Sequence, residues 1–169
     1  MRLTPIALSV ALALATMASA GHGQKPQVQV NPRSVALAQQ GDALAAQGQH
    51  NGAIDLYETA LAVDPSNRAA FVGIARVAQA QKLPGKAIRF YAEALRLEPN
   101  DLNALAGQGE AFVQRGAVER AKQNLDRVRA LCNNACPQAG LLAAAIAKGP
   151  PVEVLTARTP EAGAPKTEN

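Results

Sequence analysis

Cys132 and Cys136 are the residues with the widest scope for chemistry in this 169-residue sequence. Two thiols separated by three residues are expected to form a disulfide in an oxidising compartment, and we predict that bond. Two thiolates can also bind a soft metal such as Cu(I) or act as a redox pair, although redox motifs favour the C-x-x-C spacing. Two free thiols are the remaining chemical possibility. If the pair binds copper or is redox-active, the function would be that of a redox or copper-handling periplasmic factor, which we keep as the alternative to the binding function described below.

The other residues form no recognisable catalytic motif. His22 and His50, the two histidines, fall in a polar linker and in a turn, where surface positions are expected. The sequence has no H-E-x-x-H, G-x-S-x-G or P-loop motif, and the Gly107-Gln108-Gly109 stretch lacks the third glycine of a dinucleotide-binding loop. We therefore predict a protein that is not an enzyme, with no catalytic residue, no metal site and no cofactor.

Composition gives little support for a nucleic-acid partner. The formal net charge is only +4, tryptophan is absent, and three Phe and two Tyr offer few surfaces on which bases could stack. The alanine-rich, aromatic-poor composition favours helices. We therefore expect a helical protein without a nucleic-acid partner.

Residues 1–20, MRLTPIALSVALALATMASA, have the layout of a secretory signal. Arg2 gives a positive start, an apolar run follows, and Ala18-Ser19-Ala20 matches the small-residue cleavage pattern. The apolar run is shorter than the roughly 20 residues that a membrane-spanning helix needs. We expect cleavage after Ala20, no membrane span afterwards, and a periplasmic or secreted location.

Two further segments have the composition of non-core regions. Residues 21–33 are predicted to be a polar linker, and residues 149–169, which contain four prolines, are predicted to be a disordered tail. Neither segment has enough large apolar side chains to offset the entropy lost on ordering.

The central part of the chain repeats itself at an interval of 34 residues. Residues 56–67 read LYETALAVDPSN, and residues 90–101 read FYAEALRLEPND. Pro65 and Pro99 occupy the same place in the two stretches. Aligning on these prolines divides the chain into three units, residues 34–67, 68–101 and 102–135.

Each unit predicts a pair of helices. Small residues at positions 8 and 20 would let the two helices approach closely, and proline at position 32 would end the second helix because it lacks an N–H. Asn67 and Asp101 are predicted to cap the helices that follow them. The residues at positions 8 and 20 are Gly41, Ala75, Gly109, Ala53, Ala87 and Ala121. Including a capping helix within residues 136–148, the predicted helices cover 35–47, 51–63, 68–81, 84–97, 102–115, 118–131 and 137–147.

This pattern resembles the tetratricopeptide repeat (TPR) family. The resemblance covers residues 34–135 and is weaker in the third unit, where Asn133 replaces the proline and Leu125 replaces the aromatic residue. It implies an all-α solenoid of three helix-turn-helix repeats plus a C-terminal capping helix, stacked so that a concave groove results. It also implies a non-enzymatic protein-interaction module.

The resemblance further implies that the first helix of each unit lines the groove. Asp42, Arg76 and Glu110 would place one charge at the centre of each unit, either to orient a partner or to pair with one another. TPR domains that hold the C-terminal carboxylate of heat-shock chaperones use Lys, Asn and Arg at positions where this chain offers only Arg76, so that mode is not expected. The implied partner-binding residues are Asp42, Val72, Arg76, Gln79, Glu110 and Val113.

The functional hypothesis is a scaffold of the bacterial cell envelope. It would bind a peptide or protein partner in the groove, within assembly, secretion or pilus-type machinery. A stiff helical stack suits this role because it presents its surface at little ordering cost.

Overall fold

The computed structural model describes residues 29–133, 135–152 and 154. This part of the chain contains seven α-helices and no strand, which confirms the predicted all-α solenoid. The helices are α1 (Pro32–Ala46), α2 (His50–Val63), α3 (Arg68–Ala80), α4 (Pro84–Leu97), α5 (Leu102–Gln114), α6 (Val118–Leu131) and α7 (Pro137–Lys148). None of these described helices has both the length and the apolar character needed to cross a bilayer. The predicted signal at residues 1–20 and most of the predicted linker and tail lie outside the described residues.

The helix starts follow from local capping. The side chains of Asn67 and Asp101 accept hydrogen bonds from amides of the first turns of α3 and α5, as predicted. Helix α1 begins at Pro32, earlier than predicted, because the side chain of Asn31 accepts a hydrogen bond from the amide of Arg33 and proline fits a first helical turn. The last two residues of the predicted linker are therefore helical.

A left-handed residue ends the turn inside each unit. Gly48 and Gly116 have φ angles of +74° and +77°, which glycine adopts without steric cost. The residue at the same place in the second unit is Lys82, with a φ of +59°. Pro84 is the first residue of α4, as the predicted helix over 84–97 had it, because proline fits the first position of a helix.

The ring of Tyr57 occupies the centre of the first unit. Tyr57 lies on α2, is 1% exposed, and contacts Gly41 on α1 and Gly73 on α3. A Cβ atom at Gly41 would lie 2.7 Å from Cε1 of this ring, and one at Gly73 would lie even closer. One aromatic ring therefore fills the space between the first helices of two successive units.

The same arrangement recurs one unit later. Tyr91 on α4 is 2% exposed and its ring contacts Gly107 on α5. Gly73 and Gly107 both occupy position 6 of their units, which was not among the predicted small positions. Because the two glycines are 34 residues apart, the repeat interval could have identified position 6 as a further small position. The mid-helix glycine that superficially resembled part of a dinucleotide loop is explained by this ring contact.

Helix α7 packs against α5 and α6, where a capping helix was predicted. Leu142 is fully buried and lies against Gly109, one of the predicted small residues. Leu105 and Val128 belong to the same apolar cluster. The cap therefore covers the apolar side that the third unit would otherwise expose.

The turn before α7 holds the two cysteines at disulfide-bonding distance, with Cα atoms 5.8 Å apart. Cys132 follows α6 and Cys136 precedes α7. Asn133 has a φ of +49°, a left-handed conformation that asparagine adopts more readily than most residues. The joint thus combines a left-handed asparagine with a cysteine pair at the place where the first two units have proline.

Replacing Gly73 with alanine is expected to lower the free energy of unfolding, although alanine is the better helix former. The substitution gains about 1 kcal/mol of helix propensity. The new Cβ would overlap the buried ring of Tyr57, and overpacking a core costs about 1–3 kcal/mol, so the steric cost should prevail. Urea-induced unfolding followed by circular dichroism measures the difference.

Gly140→Ala is the matched control for this substitution. Gly140 lies in α7, and a Cβ atom there would meet nothing within 4 Å. The Gly140→Ala substitution should therefore raise the free energy of unfolding by about 0.5–1 kcal/mol. If both substitutions stabilised the protein equally, the ring contact would not set the helix spacing.

Replacing both Cys132 and Cys136 with serine is expected to lower the free energy of unfolding by about 2 kcal/mol, the entropic value for a closed loop of five residues. Helix content should stay unchanged, because the apolar clusters that join the first, second and third units do not include the two cysteines. The wild-type pair should remain oxidised in glutathione buffers, as structural disulfides do. A pair that glutathione reduces and that then binds stoichiometric Cu(I) would favour the redox or copper-handling function instead.

Candidate functional site

Two neighbouring clefts lie along the first helices of the units, and together we call them the groove. The α3–α5–α7 cleft has a volume of about 470 Å³, and the α1–α3 cleft has a volume of about 360 Å³. Arg76 lines both clefts and marks their boundary. A segment that ran along the groove would therefore pass over Arg76.

Five of the six predicted groove residues line these clefts. Asp42 lines the α1–α3 cleft, and Val72, Arg76, Gln79 and Glu110 line the α3–α5–α7 cleft. The structure therefore brings together residues from three units that are distant in sequence. Their contact with a partner stays a prediction.

Val113 does not fit the predicted role. Its side chain is 4% exposed and packs with Phe112 and Ala121 in a cluster that Ile146 of α7 also contacts. Gln79 holds the same position in the second unit and lines the cleft. The prediction for Val113 was wrong because the capping helix packs beside the third unit and buries this side chain.

Asp42 and Arg76 form an ion pair between α1 and α3. Arg76 Nη2 lies 2.7 Å from Asp42 Oδ1, and the hydroxyl of Tyr57 donates a hydrogen bond of 2.8 Å to the same oxygen. Burial and this hydrogen bond raise the pKa of Tyr57, so the hydroxyl remains a proton donor. Both charged side chains are at least half exposed, and such pairs add little stability. We call the contacts among Asp42, Arg76 and Tyr57 the Asp42 network, and it acts mainly to orient Arg76.

Glu110 is not paired in this way. Arg76 binds Asp42, and among the described residues the carboxylate of Glu110 has no ion-pair partner. Its side chain is partly buried, and burial raises its pKa above the ordinary value of 4.5. The hydroxyl of the nearby Tyr91 donates instead to Gln79, with an oxygen–oxygen distance of 2.6 Å. Of the three central charges, two are paired and Glu110 is left over.

Helix α7 forms one end of the α3–α5–α7 cleft. Its Leu141 lines the cleft and is 63% exposed. Gln138 on the same helix donates a 2.9 Å hydrogen bond to the side chain of Asn103 on α5. Leu141 and Gln138 were not among the predicted groove residues, because α7 lies outside the 34-residue repeat and its contribution to the cleft depends on how it packs.

Arg68 and His50 are two further cleft residues that sequence reasoning did not identify. Arg68 lines the α3–α5–α7 cleft and forms an ion pair with Asp101, whose side chain is 4% exposed. His50, expected at the surface in a turn, is the first residue of α2, is partly buried and lines the α1–α3 cleft.

Within residues 29–133, 135–152 and 154, no group of three or more His, Cys, Asp or Glu side chains is arranged to hold a metal ion.

Replacing Glu110 with glutamine is expected to raise the free energy of unfolding at neutral pH. The pKa of Glu110 in the folded state lies above its unfolded value of 4.5. The charged carboxylate therefore lowers the free energy of unfolding at pH values above 4.5. Below pH 4.5 the carboxyl is protonated in both states, so the advantage of the variant should disappear. Thermal unfolding at pH 7 and pH 3.5 measures this.

The matched control is Glu58→Gln, which removes the same charge from an exposed position on α2. It should leave stability nearly unchanged at both pH values. A Glu110→Gln variant that was less stable than wild type at pH 7 would mean that Glu110 has a favourable partner within the protein.

Comparison with known proteins agrees with this architecture. Residues 41–82 match the family model described as TPR repeat. No curated protein sequence matches the chain.

Solved TPR domains share the fold. The first TPR domain of Spaghetti (RPAP3), bound to the HSP90 peptide SRMEEVD, superposes with a TM-score of 0.64 at 23% identity, covering 72% of this chain and 96% of that one. The Sgt2 TPR domain from Aspergillus fumigatus has a TM-score of 0.64 at 22% identity, covering 82% and 92%. The first TPR domain of human RPAP3 has a TM-score of 0.62 at 24% identity, covering 69% and 94%. The chain therefore has the fold of a TPR domain, and residues 41–82 carry the sequence pattern of the TPR repeat.

Proposed function

We propose that this protein is a non-enzymatic module that binds a segment of a protein partner along the groove. The observation that carries the proposal is the pair of adjoining clefts, which bring side chains of three units onto one continuous surface. Grooves between helices are a recurrent way of binding extended or helical peptides.

Three features support a preorganised groove. The Tyr57 and Tyr91 rings hold neighbouring first helices at close distance, the Asp42 network orients Arg76, and α7 is tied to α5 through Gln138. A surface that is already ordered loses little conformational entropy on binding, so more of the contact energy appears as affinity.

The solved TPR domains add support at the level of fold. The first and second TPR domains of Spaghetti are described as bound to the HSP90 peptide SRMEEVD, and the second TPR domain of human RPAP3 as bound to the HSP70 peptide SGPTIEEVD. These are peptides held by domains of the same architecture. The proposal extends this mode of binding, and not the ligand, to the present chain.

The proposed place of action is the bacterial cell envelope. The secretory layout of residues 1–20 supports export, and the cysteine pair at disulfide-bonding distance suits an oxidising compartment. In that setting the module would hold its partner during assembly, secretion or pilus-type processes.

Ala69→Trp is expected to abolish partner binding without unfolding the protein. Ala69 is an exposed residue of α3 that lines the α3–α5–α7 cleft, so an indole there would occupy the cleft. Ala62→Trp is the matched control, since Ala62 is exposed on α2 and is not among the cleft residues. Affinity capture from an envelope extract, quantified by mass spectrometry, should yield proteins that bind wild type and Ala62→Trp but not Ala69→Trp. If no captured protein depended on Ala69, the groove would not be the binding surface.

A further inference from the structure

The α3–α5–α7 cleft is lined by two arginines and by two carboxylates, Asp101 and Glu110, but one of the arginines is paired with a carboxylate outside it. Arg68 is paired with Asp101, and Arg76 is paired with Asp42. Asp42 lines the neighbouring α1–α3 cleft, so its pairing with Arg76 leaves one negative charge of the α3–α5–α7 cleft without an ion-pair partner among the described residues. That charge is on Glu110, which lines the cleft itself.

The groups around Glu110 do not supply the missing cation. Arg76, on the neighbouring helix α3, is directed to Asp42 by a 2.7 Å contact. The hydroxyl of Tyr91 donates its hydrogen bond to Gln79, and the side-chain oxygen of Asn103 accepts a hydrogen bond from Gln138. A partly buried carboxylate with no counterion is unfavourable, so a cation that entered the cleft would relieve a cost the protein already carries.

The rest of the cleft wall is apolar and of a size that suits a long side chain. Ala69, Val72, Ala106 and Leu141 line it, and Leu141 is 63% exposed. Methylene stems of lysine and arginine pack well on such surfaces while their charged heads reach a polar group. A volume of about 470 Å³ leaves room for such a side chain and part of its backbone.

We infer that the α3–α5–α7 cleft selects a lysine or arginine side chain of the partner segment, whose cation pairs with Glu110 and whose stem lies on Val72, Ala106 and Leu141. This inference rests on the proposed function and names the chemistry of the partner, a basic peptide segment. The preference is opposite in charge to the acidic peptide SRMEEVD, with which the first TPR domain of Spaghetti was solved.

Selection from a displayed library of random 12-residue peptides on the full-length protein tests the inference. Peptides recovered on wild type and on Glu58→Gln should be enriched in Lys and Arg relative to the unselected library. Glu110→Gln should lose this enrichment, and Glu110→Lys should shift it toward Asp and Glu. Circular dichroism checks that each variant is folded, and Glu110→Gln is expected to be at least as stable as wild type.

A double-mutant cycle then isolates the contact. For a recovered peptide, Lys→Met keeps most of the stem and removes the charge, and should weaken binding to wild type by about tenfold. The same change should have almost no effect on binding to Glu110→Gln. Equal effects on both proteins would overturn the inference.

The outcomes also separate this inference from the proposed function. Peptides that are lost on Ala69→Trp but show no excess of Lys or Arg would overturn the charge preference and leave the groove as the binding site. Recovered peptides that are indifferent to Ala69→Trp, or a failure to recover any, would count against both.

Discussion

The close contact between tyrosine rings and helical glycines determines how the units of this protein stack. Tyr57 reaches from α2 to Gly41 and Gly73, which lie on the first helices of successive units. Because neither glycine has a side chain, α1 and α3 approach until the ring fills the gap between them. The same ring then places its hydroxyl on Asp42, beside Gly41, so the contact that sets the helix spacing also anchors the network at the surface.

That spacing explains why charges 34 residues apart meet. Asp42 and Arg76 hold equivalent positions in two units, and stacking brings their side chains within 2.7 Å. Arg76 shares a cleft with Glu110 but makes its ion pair with Asp42, whose Oδ1 also accepts a hydrogen bond from the hydroxyl of Tyr57. The consequence is a groove in which Arg76 is paired with Asp42, Arg68 is paired with Asp101, and the carboxylate of Glu110 is unpaired. Since exposed pairs contribute little to stability, this arrangement bears more on what the groove can bind than on how firmly the protein folds.

The third unit departs from the first two, and its departures compensate one another. Leu125 stands where the other units have tyrosine. Beside it, the side-chain amide of Asn124 donates hydrogen bonds to the carbonyl of Leu105 and to Gln108. Gln108 in turn donates to the carbonyl of Ile88, so these hydrogen bonds link α6, α5 and α4. Polar contacts between helices thus accompany a smaller apolar side chain, and α7 completes the burial.

The amino-acid sequence by itself determined the repeat, the seven helices and most of their ends. These features depend on local physics: proline and left-handed residues stop helices, asparagine and aspartate cap them, and a fixed interval of small and large residues predicts stacked pairs. The groove positions of Asp42, Val72, Arg76, Gln79 and Glu110 were implied by the resemblance to the TPR family, and the interval carried them from one unit to the next.

Only the tertiary structure decided which of those charges pair and which residues complete the clefts. The choice of Asp42 over Glu110 by Arg76 depends on side-chain distances that no sequence interval contains. The burial of Val113 and the exposure of Leu141 depend on where α7 packs, and α7 lies outside the repeat. Spacing along a chain specifies faces of helices, whereas counterions and cleft walls are specified by contacts between helices, which exist only once the chain has folded.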